Sequence, residues 1–214
     1  MNEQAMNSEK LPRLVLASRS PRRRELLTEA GYDFEVVAPD EAAECTVGTP
    51  AAPACGSSVG RETAEELVAR LARQKAANVV QKVSRGVVLG CDTVAQCDGQ
   101  ILGKPADEEH ARRMLQMLSG REHRVLSGLC LWKAPDGQPV VRVAVTRLRM
   151  GRLSAKEIDD YLAGGLWEGK AGGFGYQDRL GWIQVVEGSE TNVVGLPMEL
   201  LAEMLRSLFT PPCP

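Results

Sequence analysis

Aromatic residues are scarce in this chain, three each of Trp, Tyr and Phe, and the net charge is −2. Base stacking needs exposed rings and phosphate backbones need a broad basic face, so the composition argues against a nucleic acid polymer as partner. Histidine is scarcer still. With only His110 and His123, an imidazole metal centre is not expected, and any metal should be a hard cation held by carboxylates and phosphates. The six cysteines (Cys45, Cys55, Cys91, Cys97, Cys130, Cys213) form no CxxC pair, which points to buried or idle thiols rather than zinc ligands or a disulfide framework. No apolar run reaches the ~18 residues of a membrane span. The start MNEQAMNSEK lacks the hydrophobic segment of a secretory signal, so a cytoplasmic protein is expected.

What is present suits one globular domain: 214 residues, 43% hydrophobic and 25% charged, with a core of Leu, Val, Ile and Ala. Residues 1–12 read as a disordered tail, 13–208 as the domain, and 209–214 as a frayed end. The apolar run Leu14–Ala17 predicts a strand, and Ser20-Pro21 the start of a helix. Phe34–Ala38 reads as a second strand, followed by a long loop rich in Ala, Gly, Pro and Ser. Thr63 and Glu66 predict a capping box for a helix to about Lys82. Further on come a strand at Val87–Leu89, a hairpin at Asp98-Gly99, and a helix over Asp107–Leu118. Strands near 124–132 and 140–148 follow, then a helix capped by Ser154, a strand over Trp182–Val186, a turn from Gly188 to Asn192 and a last helix from Pro197. Helices interleaved with strands and two antiparallel hairpins predict an α/β fold with a mixed parallel/antiparallel sheet.

Arg22, Arg23 and Arg24 pose a problem of charge. They occupy the first turn of a helix, where exposed N–H groups already favour anions. Either the arginines pair with Glu25 or Glu29 on a solvated turn, or turn and guanidinium groups together hold a phosphate. Lys75 poses a similar choice. It interrupts the apolar stripe Ala64, Leu67, Val68, Leu71, Ala72 and Val79, so it either snorkels to water or reaches inward to a phosphate site.

In GVVLGCDTVAQCDGQILGKP, Asp92 follows a short buried strand, and a Cys97–Gln100 hairpin pair would set Thr93 opposite Lys104 and Val94 opposite Gly103. Asp92 and Lys104 would then lie close, although alternation points their side chains to different faces. A carboxylate there serves as general base or metal ligand, or merely caps a turn within a structural ion pair. The glycine-rich stretch around Lys170, ending in Gln177, lets backbone approach a ligand, and the Gln177 amide is able to read a base edge. It is neither a Walker loop nor a GxGxxG fingerprint. His123, beside Arg121 and Arg124, reads as solvated or locally bonded.

Taken in order, LVLASRSPRRRELL, LVARLARQKA, GCDTVAQCDGQILGKP, MLSGREHRV, KAGGFGYQ and NVVGLP make the chain resemble the Maf family of nucleoside triphosphate pyrophosphatases. The resemblance implies a fold shared with inosine triphosphate pyrophosphatases (Maf/Ham1). It also implies hydrolysis between the α- and β-phosphates, a divalent cation (Mg²⁺ or Mn²⁺) and a homodimer. It makes Asp92 the proton acceptor or metal-assisting carboxylate, and Ser18, Arg22, Arg23, Lys75 and Lys104 the phosphate-holding set. Arg22, Thr93 and Gln177 occupy the positions that track substrate choice, and their combination resembles the subfamily acting on dTTP and UTP in nucleotide-pool housecleaning. The family's acidic tripeptide after the second strand is replaced by Asp40-Glu41-Ala42-Ala43-Glu44, which leaves Glu44 or Glu41 as the second metal carboxylate. The stretch from Cys45 to Gly60 is longer than the family norm. A nucleotide-binding regulator linked to cell division is the alternative.

Overall fold

A computed structural model describes residues 13–40, 62–178 and 180–209. The expected tail up to residue 12, residues 210–214 of the expected 209–214 tail, Glu41, Glu44 and the Cys45–Gly60 stretch lie outside them, while Phe209 closes a helix.

Strand β1 (Leu14–Ala17) leads into α1 (Pro21–Glu29) and β2 (Phe34–Val36). Helix α2 (Ala64–Val80) starts at the expected capping box, with Thr63 and Glu66 each bonding the other's backbone. Strand β3 (Gly86–Cys97) turns through Asp98-Gly99 into β4 (Gln100–Leu102), and α3 (Glu108–Leu118) follows. The long hairpin β5 (Glu122–Ala134) and β6 (Pro139–Met150) precedes α4 (Ala155–Ala163). Two short 3₁₀ turns, Ala171–Gly173 and Tyr176–Asp178, lead to β7 (Ile183–Glu187), α5 (Glu190–Val194) and α6 (Met198–Phe209). The Gly188–Asn192 segment, expected as a turn, thus runs into a short helix capped by Ser189.

The strands form one sheet in the order β2-β1-β3-β5-β6-β7, with β4 on β3. β1 is parallel to β2 and β3, and the remaining pairs are antiparallel, which is the mixed α/β sheet expected. On one face, Val88 and Val94 of β3 pack against α2; on the other, Val87, Leu89 and Cys91 pack with residues of α1 and α6. A separate cluster joins Ala95 and Cys97 to α3, α4 and Phe174.

Strand β3 differs most from its expected form. It runs on through Gly90 to Cys97, so Asp92 sits in mid-strand. Both edges explain this. β5 pairs with it from Gly86 to Gln96, whereas the other edge changes partner: β1 pairs with residues 87–90 and β4 with 95–97. Among the described residues, 91–94 therefore have no strand beside them on that edge. Gly90 and Gly128 let α2 lie close over this point. A Cβ at Gly90 would fall 2.2 Å from the Ala72 carbonyl oxygen, and one at Gly128, the β5 partner of Asp92, would fall 2.1 Å from that of Val68.

Candidate active site

The gap between β1 and β4 opens into a cavity of about 300 Å³. Its walls are the turn Ser18–Arg23, the β3 segment Asp92–Val94, Gly103-Lys104, and the loops carrying Lys170, Phe174, Gln177 and Gly195. The parallel strand β1 ends there and α1 begins. Ser20 occupies the N-cap position but makes no side-chain cap, and its own N–H donates to Ser18 Oγ at 3.1 Å. The start of α1 therefore keeps the anion preference of an uncapped helix end.

The arginines do not pair with Glu25 or Glu29. Arg22 donates to the Gly169 carbonyl at 2.8 Å across the cavity mouth. Burial and the neighbouring Arg23 push its pKa down, while Asp178 and Glu25 pull it back. Arg23 is buried and donates through Nε to Gly195 O at 2.9 Å, and through Nη1 to Cys91 O at 2.7 Å and Ser18 Oγ at 3.3 Å. Its Nη2 donates to Thr93 Oγ1 at 3.2 Å. Four of its five N–H groups are thus engaged, two on β3, one on Gly195 and one on Ser18 of the turn, and one remains at the cavity wall. Thr93 Oγ1 also shares a proton with the buried Ser127 Oγ at 2.8 Å.

Lys75 points inward, as its place on the apolar stripe allows, and its Nζ lies 2.7 Å from Asp92 Oδ1, with each side chain 3% exposed. The ammonium stands behind Asp92 rather than on the cavity wall. Asp92 Oδ2 is buried and makes no hydrogen bond. A carboxylate that lines a cavity, with one oxygen paired to an ammonium and the other without a hydrogen bond, is equipped to accept a proton or to bind a cation. The expected hairpin register sets Lys104 opposite Thr93 and so close to Asp92. The β3–β4 ladder, however, stops at Ala95–Leu102, and Gly103 O accepts from Gly172 N at 2.9 Å instead. The glycine loop so draws the chain off the sheet, and Lys104 lines the cavity.

Glu44 and Glu41 lie outside the described residues, and among those residues no cluster of three or more His, Cys, Asp or Glu side chains is present. The unpartnered Asp92 Oδ2 fits one ligand of a hard cation whose other ligands come from phosphate and water.

Gln177 is exposed on the turn Tyr176–Asp178, at the boundary with an adjoining cavity of about 670 Å³. Arg22, Phe174 and Val194 share that boundary. Two features were not read from the sequence. Lys170 lines the cavity with its Nζ 2.6 Å from both carboxylate oxygens of Asp178. His123 is buried rather than solvated, with neither ring nitrogen hydrogen-bonded, its ring set edge-on to Phe174 at 5.3 Å. Burial lowers its pKa to about 4. The single-letter run REHR hid this, because strand alternation sends His123 inward while its neighbours stay at the surface.

A crevice at the carboxyl end of a parallel strand, where the sheet edge changes partner, is where open α/β sheets bind ligands; this one is chemically suited to a polyphosphate. The chain belongs to the Maf family: the family model described as Maf-like protein matches residues 13–208. A relative from Rhodopirellula baltica named dTTP/UTP pyrophosphatase is 50% identical over 195 residues, covering 91% of this chain and 81% of its own. Proteins of the same name from Sphingopyxis alaskensis (43% over 202 residues, 94% and 99% covered) and Thermococcus gammatolerans (42% over 189, 88% and 92% covered) are also similar. The Staphylococcus aureus Ham1 protein structure superposes with a TM-score of 0.49 at 13% identity, covering 92% of this chain and 99% of that one. Among the described residues, no helix is long and apolar enough to cross a membrane.

Proposed function

We propose that this protein hydrolyses dTTP and UTP to the monophosphate and pyrophosphate. The observation that carries the reading is Asp92, a buried carboxylate that lines the cavity beside Arg22, Lys104 and an uncapped helix start and whose Oδ2 makes no hydrogen bond. The shared name of the relatives supplies the substrate class.

Ser18, Arg22, Lys104 and the last N–H of Arg23 hold the triphosphate. Asp92 takes the proton of the water that attacks the α-phosphorus, and Lys75 holds that carboxylate in place. As the bond to the β-phosphate breaks, charge grows on the leaving pyrophosphate, where fixed cations stabilise it most. A divalent cation, held by Asp92 and phosphate oxygens, would add charge neutralisation and make water more acidic when bound. The base reaches the boundary of the two cavities, where Gln177 presents a donor and an acceptor and Thr93 closes the wall. The reading includes a cytoplasmic homodimer, checked by fractionation and light scattering.

The test is pyrophosphate release from dTTP, UTP, CTP and 7-methyl-GTP, with and without Mg²⁺ or Mn²⁺. Metal-dependent release from dTTP and UTP, abolished in Asp92→Asn with nucleotide binding retained, is expected. Silence of the wild-type protein on every nucleotide, with binding intact, would overturn the enzymatic reading in favour of a nucleotide-binding regulator.

A further inference from the structure

The loop that carries Gln177 is anchored by a buried polar network that the hydrolysis itself does not require. Lys170 Nζ lies 2.6 Å from both Asp178 oxygens, and Tyr161 Oη donates to Asp178 Oδ2 at 2.7 Å. The Lys170 and Asp178 side chains are 10% and 8% exposed. Burial and the Asp178 carboxylate raise the pKa of the Tyr161 phenol, so it stays a donor. The cluster is closed tightly over its backbone, since a Cβ at Gly175 would fall 2.5 Å from Lys170 Nζ and 2.7 Å from Asp178 Oδ2.

The geometry connects this network to base recognition. Gln177, immediately before Asp178, is exposed, and its amide makes no hydrogen bond among the described residues. Its position is set by what holds its neighbours. Lys170 lines the cavity, and the residue before it accepts from Arg22, so the same loop is tied to α1 at its other end. A buried ion pair is a poor device for stability, because apolar residues of similar volume do as well or better. What it supplies is one geometry for the turn.

We propose that Asp178 is a positioning residue that, through Lys170 and Tyr161, holds Gln177 against the pyrimidine edge and so sets base selectivity. Lys170 is thereby a loop anchor, its charge met by Asp178, and not a member of the phosphate-holding set. The proposal rests on the nucleotide reading above and deepens it.

The experiment compares wild type, Asp178→Asn, Tyr161→Phe and the double variant Lys170→Met/Asp178→Asn. Measured are kcat/KM for dTTP, UTP and CTP, the competitive inhibition constant of inorganic tripolyphosphate, thermal stability, and calorimetric affinities for dTMP and CMP. Asp178→Asn is expected to lower the preference for dTTP over CTP by about 3–10-fold, the worth of one net hydrogen bond, mainly through KM. Tripolyphosphate inhibition should change less than the dTTP over CTP preference, since Asp178 reaches the phosphate-holding residues only through its charge on Arg22 and the Gly169 carbonyl beside Lys170. The double variant should keep the lost preference even where it regains stability. Tyr161→Phe, which leaves the ion pair intact, should shift the preference in the same direction and decides the matter if Asp178→Asn does not fold. Unchanged preference in folded variants, or tripolyphosphate affinity falling in step with every nucleotide, would overturn the proposal. Wild-type silence on all nucleotides would instead overturn the pyrophosphatase reading, and the dTMP/CMP affinity ratio would still judge the role of Asp178.

Discussion

Replacing Lys75 with methionine keeps most of the volume on the inward face of α2 and removes the charge that Asp92 faces. The two groups meet at 2.7 Å with 3% of each side chain exposed, so water does not replace the lost counter-charge. At a charge separation of about 4 Å and an effective dielectric constant of about 20, their gross attraction is about 4 kcal/mol. Desolvation of both ions offsets most of that, and the intact pair contributes little net stability. Removing one member is different, because the stranded carboxylate keeps its desolvation cost; the loss should be about 3–5 kcal/mol. Lys75→Met is therefore expected to lose that much in urea unfolding at neutral pH. Combining it with Asp92→Asn should recover at least about 2 kcal/mol of the summed single losses, since contacting residues couple by up to roughly 3 kcal/mol. The double variant should still hydrolyse nothing, because the proton acceptor is gone. A Lys75→Met loss below about 1 kcal/mol, or strict additivity in the cycle, would refute the reasoning that Lys75 and Asp92 form a coupled buried pair.

Gly128→Ala places a Cβ 2.1 Å from the Val68 carbonyl oxygen, backbone that has no easy way to yield. A loss of about 3 kcal/mol or more is expected in chemical denaturation, at or above the usual overpacking range, and a loss under about 1 kcal/mol would mean α2 lies farther from β5. The neighbouring arginines should separate cleanly. Arg23→Ala removes the Arg23 donor from the Cys91 carbonyl and leaves Gly195 O only its longer contacts from Thr93 Oγ1 and Cys91 Sγ, and should cost roughly 1–3 kcal/mol of stability. Arg22→Ala should alter stability by less than about 1 kcal/mol and lower kcat/KM about 10–100-fold, the worth of a charged hydrogen bond. Melting curves and dTTP kinetics on both variants check the contrast, and equal effects on stability would contradict it. His123, with a folded pKa of about 4 against an ordinary 6.5, binds its proton first in the unfolded state. Its contribution is present above pH 6.5 and is lost as pH falls toward 4, about 3 kcal/mol in all at 1.36 kcal/mol per unit. His123→Leu should lose correspondingly less over that window, and parallel stability curves would show that the imidazole is not buried neutral.

Much of this site can be read from local patterns. Asp98-Gly99 gives the hairpin and its Cys97–Gln100 register, Thr63 and Glu66 give the start of α2, and the break in the apolar stripe gives an inward Lys75. The partner of Lys75 is not local information. It depends on α2 docking within van der Waals reach of Gly90 and Gly128, and nothing near either glycine in the sequence announces a helix above it. Gly90 in fact reads as the end of a strand, which is why Val87–Leu89 reads as a short strand with Asp92 at its end. Lys170 and Asp178 escaped for a related reason. Their third partner, Tyr161, belongs to α4, and only the return of the glycine loop over that helix makes one network of the three.

The brevity of β1 is what turns these parts into a site. Its four residues accompany β3 only to Gly90, and β4 joins only at Ala95. Had β1 continued, its backbone would have paired with residues 91–94 and filled the edge of the sheet. Because it stops, alternation along β3 works from both faces at once: Asp92 faces α2 and Lys75, while Thr93 faces Arg23 and Gly195. A side chain from each face thus borders the same opening. The turn into α1 then adds Ser18 and Arg22 from the end of the strand that stopped. The arginines in the first turn of α1, unfavourable for that helix alone, stand where the sheet is missing a strand and a polyanion has room to enter.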